Sequence, residues 1–241
     1  MKKIKFTALG LSLLLLASCS TMNQVVGDKD SKTRGGTYIG SGAGAATGAL
    51  VGAILNKSHR GTGAVVGGLI GAAVGGTAGN LIGRHMDKVK AEVESQVQNA
   101  TVEEVTDANG LKAVKVTFDS GLLFPINKYE LNASSKNDLA KFSTVLKNNS
   151  DCHVDIYGYT DTTGGDGINV PLSNNRANSV MDYLKQCGVS SSQLQKVQGM
   201  GSENPVASNS TESGRKQNRR VEVYLYASQK MVDAANAGTL K

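Results

Sequence analysis

The sequence predicts an α+β fold, a mixed α/β sandwich whose C-terminal elements run β-α-β-α-β-β on a mixed sheet, preceded by a glycine-zipper helical hairpin. Three observations carry this expectation. After Leu111 the apolar residues alternate between strand and helix periods. Through residues 36–83 glycine recurs every four positions. The N-terminus is a short charged and then apolar segment that stops at a cysteine.

That N-terminal segment is a targeting element. Lys2, Lys3 and Lys5 precede an apolar run from Phe6 to Ala17, which ends in Leu16-Ala17-Ser18-Cys19. Small residues before a cysteine resemble a bacterial lipobox, in which cleavage leaves residues 1–18 as the signal peptide and Cys19 as the lipidated first residue. The competing reading is an ordinary signal peptide that happens to contain a cysteine. Several acyl chains hold a membrane stably, because each buried methylene contributes about 0.8 kcal/mol. Ser20, rather than Asp, follows the cysteine, which favours the outer membrane.

The remaining 223 residues have a formal charge of +3, since the chain's +6 includes the three lysines of the leader. With no Trp and no basic patch interleaved with aromatics, nucleic acid is excluded as a partner. With Cys19 acylated, Cys152 and Cys187 remain as an even pair in an oxidising compartment. Cys152 opens one expected strand and Cys187 closes the helix that returns beside it. The two are then either a disulfide or two separate buried thiols.

Residues 19–35 form a short linker. The hairpin follows, with glycines at 36, 40, 44, 48 and 52 and again at 63, 67, 71, 75, 79 and 83. A four-residue spacing places each set on one helix face, where backbones can approach closely. Asn56 to Gly61 holds the region's charges and reads as the turn. Each arm has roughly the length that crosses a bilayer, but each interior glycine costs about 1 kcal/mol relative to alanine. Such arms need close packing, a membrane or neighbouring copies, the last of which would make a homo-oligomer through this region. The plainer alternative is a flexible Gly-rich linker, which has no reason to keep a four-residue register.

Residues 84–110 are expected to form a connecting helix and the start of a hairpin. Val89, Val93 and Val97 make a narrow apolar stripe on a solvated helix, and Asn109-Gly110 marks a turn between two strands. From residue 111 to 226 the chain reads as one domain. Val114, Val116 and Phe118 share a strand face, and Leu139, Phe142, Val145 and Leu146 follow helical spacing. Val154 and Ile156 give a second strand. Ala177, Val180, Met181 and Leu184 give a helix expected to begin after Ser173 as its N-cap. Leu194–Gly199 is a weaker strand, and Val221, Val223 and Leu225 mark the last. Residues 227–241 read as a tail.

The candidate site lies in GYTDTTGGDGINVPLSNNRA, residues 158–177. Asp161 follows a strand, a Gly-rich loop comes next, and Arg176 occupies the expected first turn of the helix. Ligands of α/β sheets lie beyond strand C-termini. An arginine fork near free helix N–H groups suits a carboxylate, and the aspartate suits an ammonium. Asp161 and Arg176 therefore either bind the two ends of a zwitterion or pair with each other, an exposed pair being worth about 0–1 kcal/mol. No nucleophile–base arrangement accompanies them, and His59, His85 and His153 are scattered, so neither an enzyme nor a metal or cofactor is expected.

At these residues the sequence resembles a known family. GYTDTTG followed by NVPLSNNRA matches the N-x-x-L-S-x-x-R-A signature of the OmpA-like peptidoglycan-binding domain. A second block, GMGSENPVASNSTESGRKQNRRVEV, is similar to that family's closing motif. Tyr159 and Ile168 depart from the family's usual residues without removing a charged anchor. The resemblance implies that Asp161 and Arg176 clamp the ammonium and carboxylate of diaminopimelate in the peptide stem of the cell wall. It also implies that Asn169 and Arg219 line the pocket and that Thr160 and Leu172 shape it. For Arg219 and for Arg220 the alternative to a place in this lining is a solvated strand start. The implied protein is a non-enzymatic outer-membrane lipoprotein whose globular domain binds peptidoglycan in the periplasm. The alternative is an oligomeric membrane assembly or pore built by the glycine zipper, with the wall-binding domain as its locator.

Overall fold

The computed structural model describes residues 74–125 and 127–240. Cys19, the linker and most of the glycine zipper lie outside the described residues. Helix α1 (Gly76–Gln96) leads into strands β1 (Ala100–Thr106) and β2 (Lys112–Asp119), a short helix α2 (Ser120–Leu123) and helix α3 (Ala133–Asn148). Strand β3 (Cys152–Gly158), helix α4 (Asp166–Gln186), strand β4 (Leu194–Gly199), helix α5 (Glu212–Asn218), strand β5 (Arg220–Ala227) and helix α6 (Gln229–Asn236) complete the order.

The five strands form one sheet in the order β1-β2-β5-β3-β4. Only β3 and β4 pair in parallel, with α4 as their crossover, and every other neighbour is antiparallel. The β1–β2 hairpin closes where expected. Asp107 braces it by accepting hydrogen bonds from the Asn109 and Leu111 N–H groups, each at 2.8 Å.

Strand alternation divides the sheet into two chemistries. One face carries Val114, Val116 and Phe118 of β2, Val154 and Ile156 of β3, and Val221, Val223 and Leu225 of β5. These pack with Leu139, Phe142, Val145 and Leu146 of α3 and with Ala177, Val180 and Leu184 of α4. Each fully buried aliphatic side chain contributes about 1.5–3 kcal/mol. The other face clusters Tyr157, Tyr159, Tyr224 and Tyr226 around Ala113.

Three expectations change. Helix α1 is no solvated connector: Ile82, Met86, Val89 and Val93 are fully buried, and the helix packs on α3, α6 and β2. Its valine stripe looked narrow because it continues through Met86 to Ala78 and Ile82, and the last two lay across the boundary drawn at residue 84; α1 runs through that boundary without a break. The supposed tail contains α6, whose Met231, Val232 and Ala235 are buried against the same core, with Ser228 as N-cap. Finally, Cys152 and Cys187 are free thiols. The Cys152 side chain points into the core, its Sγ 3.9 Å from the Met86 Sδ of α1, while Cys187 caps the C-terminus of α4. No helix among the described residues is long and apolar enough to cross a membrane.

Candidate functional site

The sheet brings the two sequence motifs together. In the antiparallel β3–β5 pair, Gly158 at the end of β3 lies opposite Val221 at the start of β5. The chain leaving β3 is then held on both sides: the Tyr159 N–H donates to Arg220 O at 2.9 Å, and the Thr160 N–H donates to Gly201 O at 2.8 Å. Helix α4 sits directly over this junction. A Cβ at Gly158 would fall 2.3 Å from Ser173 O, and one at Gly199 would fall 2.2 Å from the Asn174 backbone nitrogen. Both positions therefore require glycine for close approach.

Helix α4 starts eight residues earlier than its sequence suggests. Gly165, at a φ of 73°, takes the N-cap position, and Asp166 opens the helix. The glycines and Pro171 read as loop, yet Gly167 and Pro171 are helical, and Pro171 removes only one helical hydrogen bond. Ser173 is consequently a mid-helix residue whose Oγ accepts from the Gly201 N–H at 2.9 Å. Arg176 lies well inside the helix, so the free N–H groups at its start are not what would meet an anion beside Arg176.

Asp161 is buried and already engaged. Its Oδ1 accepts the Thr163 N–H at 2.7 Å, and its Oδ2 accepts from Arg219 Nη1 at 2.6 Å. The other arm of that guanidinium, Nη2, reaches Glu212 Oε1 at 2.7 Å. Asn169 Nδ2 donates to the Asp161 carbonyl at 3.0 Å, pinning the loop to the first turn of α4. Burial pushes the Asp161 carboxyl upward in pKa, but the Arg219 guanidinium and the Thr163 hydrogen bonds outweigh it, and the net shift is downward. Asp161 is thus an anion at neutral pH.

Arg176 differs. It is 5% exposed, its Nε donates to Lys128 O at 3.1 Å, and its guanidinium carbon lies 5.2 Å from the centre of the Phe124 ring. Among the described residues no carboxylate lies within ion-pair distance of it. Burial and the nearby Arg219 charge lower its pKa, and Asp161 offsets this only in part. An arginine stays protonated regardless, so this is a buried cation lacking an adjacent counter-ion. Thr160 adds a buried hydroxyl with no hydrogen-bond partner among the described residues. Leu172 is half-buried on α4 beside these groups in sequence.

Asp161, Asn169 and Arg219 are joined by hydrogen bonds, and Arg176 lies within electrostatic reach of Asp161 and Arg219. Asp161 pairs with Arg219 and not with Arg176. Sequence reasoning missed Glu212, which steadies Arg219, and Phe124 with the Lys128 carbonyl, which position Arg176. Glu212 stands seven residues, two helical turns, before Arg219, a spacing that could have revealed it. Much of the closing motif is architectural. Asn218 is buried, its Oδ1 accepting from the Val206 and Ala207 N–H groups and its Nδ2 donating to Ala207 O and Asn209 Oδ1. Nor is Arg220 a solvated strand start. It is 3% exposed, pairs with Glu222 at 2.7 Å and stacks 3.8 Å over the Tyr159 ring.

Residues 123–219 match the OmpA family, and residues 1–87 match the YMGG-like Gly-zipper family. The chain is 44% identical over 110 residues to the Escherichia coli K12 protein named Probable lipoprotein YiaD, covering 46% of this chain and 47% of that protein. It is 51% identical over 87 residues to the peptidoglycan-binding protein ArfA of Mycobacterium tuberculosis, covering 36% of this chain and 26% of ArfA. The chain thus matches about half or less of the length of these two relatives. Among solved structures, a MotB-like protein of Desulfovibrio vulgaris shares the fold, with a TM-score of 0.53, 21% identity, and coverage of 63% of this chain and 96% of that one.

Proposed function

We propose, from the premise that this chain carries an OmpA-family domain joined to a YMGG-like Gly-zipper region, that it tethers the outer membrane to peptidoglycan by binding diaminopimelate without a covalent bond. The observation that carries this reading is Arg176, a buried cation that forms no ion pair among the described residues, while the buried, ionised Asp161 within its electrostatic reach is paired with Arg219 instead. A free amino acid head group supplies what each lacks. Its carboxylate neutralises Arg176, and its ammonium joins Asp161. The Asp161 oxygens are engaged by Arg219 and Thr163, but each carboxylate oxygen has a second lone pair. Diaminopimelate carries such a head group at the end of its side chain.

In this reading the signal peptide, residues 1–18, is removed and acylated Cys19 holds the outer membrane. The wall-binding unit runs from α1 through α6, facing the periplasm. Modest affinity suffices, because an immobilised polymer presents many sites and retention comes from avidity. The protein acts as a binding module rather than an enzyme, and no step of this function calls for a cofactor.

The test is a pull-down of the full chain with purified sacculi, comparing wild type with Asp161→Ala and Arg176→Ala. Both variants should lose retention, and free diaminopimelate should release the wild type. Undiminished retention of both variants would overturn the assignment.

A further inference from the structure

Two dipeptides far apart in sequence meet where α1 crosses the start of β3. His85-Met86 comes from α1, and Asp151-Cys152 from the turn that opens β3. His85 Nε2 stands 3.5 Å from Asp151 Oδ1, and one ligand atom each from His85, Asp151 and Cys152 fall within 4.8 Å of one another. Met86 Sδ lies 3.9 Å from Cys152 Sγ. A tetrahedral ion with bonds near 2.0–2.3 Å separates its ligands by roughly 3.3–3.8 Å, so a small contraction closes this set. We propose that His85, Asp151 and Cys152 form a zinc site that staples α1 to the first residues of β3, apart from the wall-binding site.

The chemistry of the donors selects the ion. Imidazole, carboxylate and thiolate are the ordinary ligands of zinc, whereas calcium and magnesium take oxygen donors. Carboxylate and thiolate together supply two negative charges against the ion's two positive ones. Cys152 is fully buried, and burial pushes its thiol pKa well above the ordinary value. Binding therefore proceeds as a displacement: zinc joins the sulfur, and the thiol proton leaves to solvent. Lys230 is the cation near Asp151 that opposes the ion. His85 and Asp151 remain partly exposed, at 15% and 23% of their side-chain surface, which gives the ion a way in. The fourth position faces the Met86 thioether or a water.

The experiment uses the full chain in detergent, reduced and stripped with a chelator, then titrated with zinc against a chromophoric competitor. We expect one ion per chain, one proton released from Cys152, and a rise in melting temperature on zinc addition. Cys152→Ser and His85→Gln should each weaken binding by at least ~10-fold, since loss of even an outer-sphere partner costs that much. Cys187→Ser should leave it unchanged. Cobalt in place of zinc should show a thiolate charge-transfer band that Cys152→Ser abolishes. If Cys152→Ser fails to fold, the partly exposed His85→Gln carries the test with the same cobalt spectrum. Zinc affinity unaffected by His85→Gln, or a cobalt spectrum without a thiolate band in the wild type, would overturn the proposal.

Discussion

Arg176 and Arg220 are almost equally buried, at 5% and 3% exposure, yet they are neutralised differently. Arg220 faces Glu222, itself 1% exposed, and lies on the Tyr159 ring. Tyr224 Oη closes the network by donating to the other Glu222 oxygen at 2.8 Å. Arg176 meets one carbonyl and one ring and forms no ion pair among the described residues. The first arrangement contains its own counter-ion; in the proposed function a ligand supplies that of the second. Burial is common to both arginines; what distinguishes Arg176, and carries the proposal for it, is the lack of an ion pair among the described residues.

Breaking the complete network should have the largest effect on stability. Glu222→Ala leaves Arg220 buried without its partner, a loss of about 3–5 kcal/mol of unfolding free energy by chemical denaturation. Replacing the pair together by apolar residues of similar volume should recover most of that loss. Arg176→Ala, by contrast, should cost little stability and abolish sacculus retention. Next in size is Asp161→Asn, which should lose retention and destabilise by roughly 1–3 kcal/mol, because Arg219 loses one charged partner and keeps Glu212. The pH dependence sharpens the contrast further. The Asp161 pKa is held below the ordinary value of roughly 3.9, so its contribution to stability and binding is present above that value and lost as pH falls through the lower, folded-state pKa. Retention measured across acidic buffers should therefore persist through pH 5. The smallest change is expected from Glu212→Gln, since Glu212 is an exposed brace for Arg219, and retention should fall only slightly.

The order of elements was readable from periodicity because most segments keep one buried face. Val154 and Ile156, or Ala177, Val180 and Leu184, show their packing directly in their spacing. The start of α4 was not readable, since Gly165, Gly167 and Pro171 carry loop chemistry that tertiary packing of Ser173 and Asn174 on β3 and β4 overrides. Helix α6 and the depth of α1 also escaped, because each presents only a few apolar residues and buries them on elements distant in sequence. At the site, the motifs named Asp161, Arg176 and Arg219 but not their pairing. Which guanidinium meets Asp161 depends on the β3–β5 register, a long-range fact that no local pattern encodes.

The central claim is that Arg176 serves a ligand while Arg220 serves the fold. The most direct measurement is a calorimetric titration of diaminopimelate into the full chain, wild type and Arg176→Ala, with unfolding free energy determined on the same samples. The account predicts that Arg176→Ala abolishes the binding heat while stability stays within about 1 kcal/mol of wild type. Binding retained in Arg176→Ala, or lost only together with a collapse in stability, would contradict it.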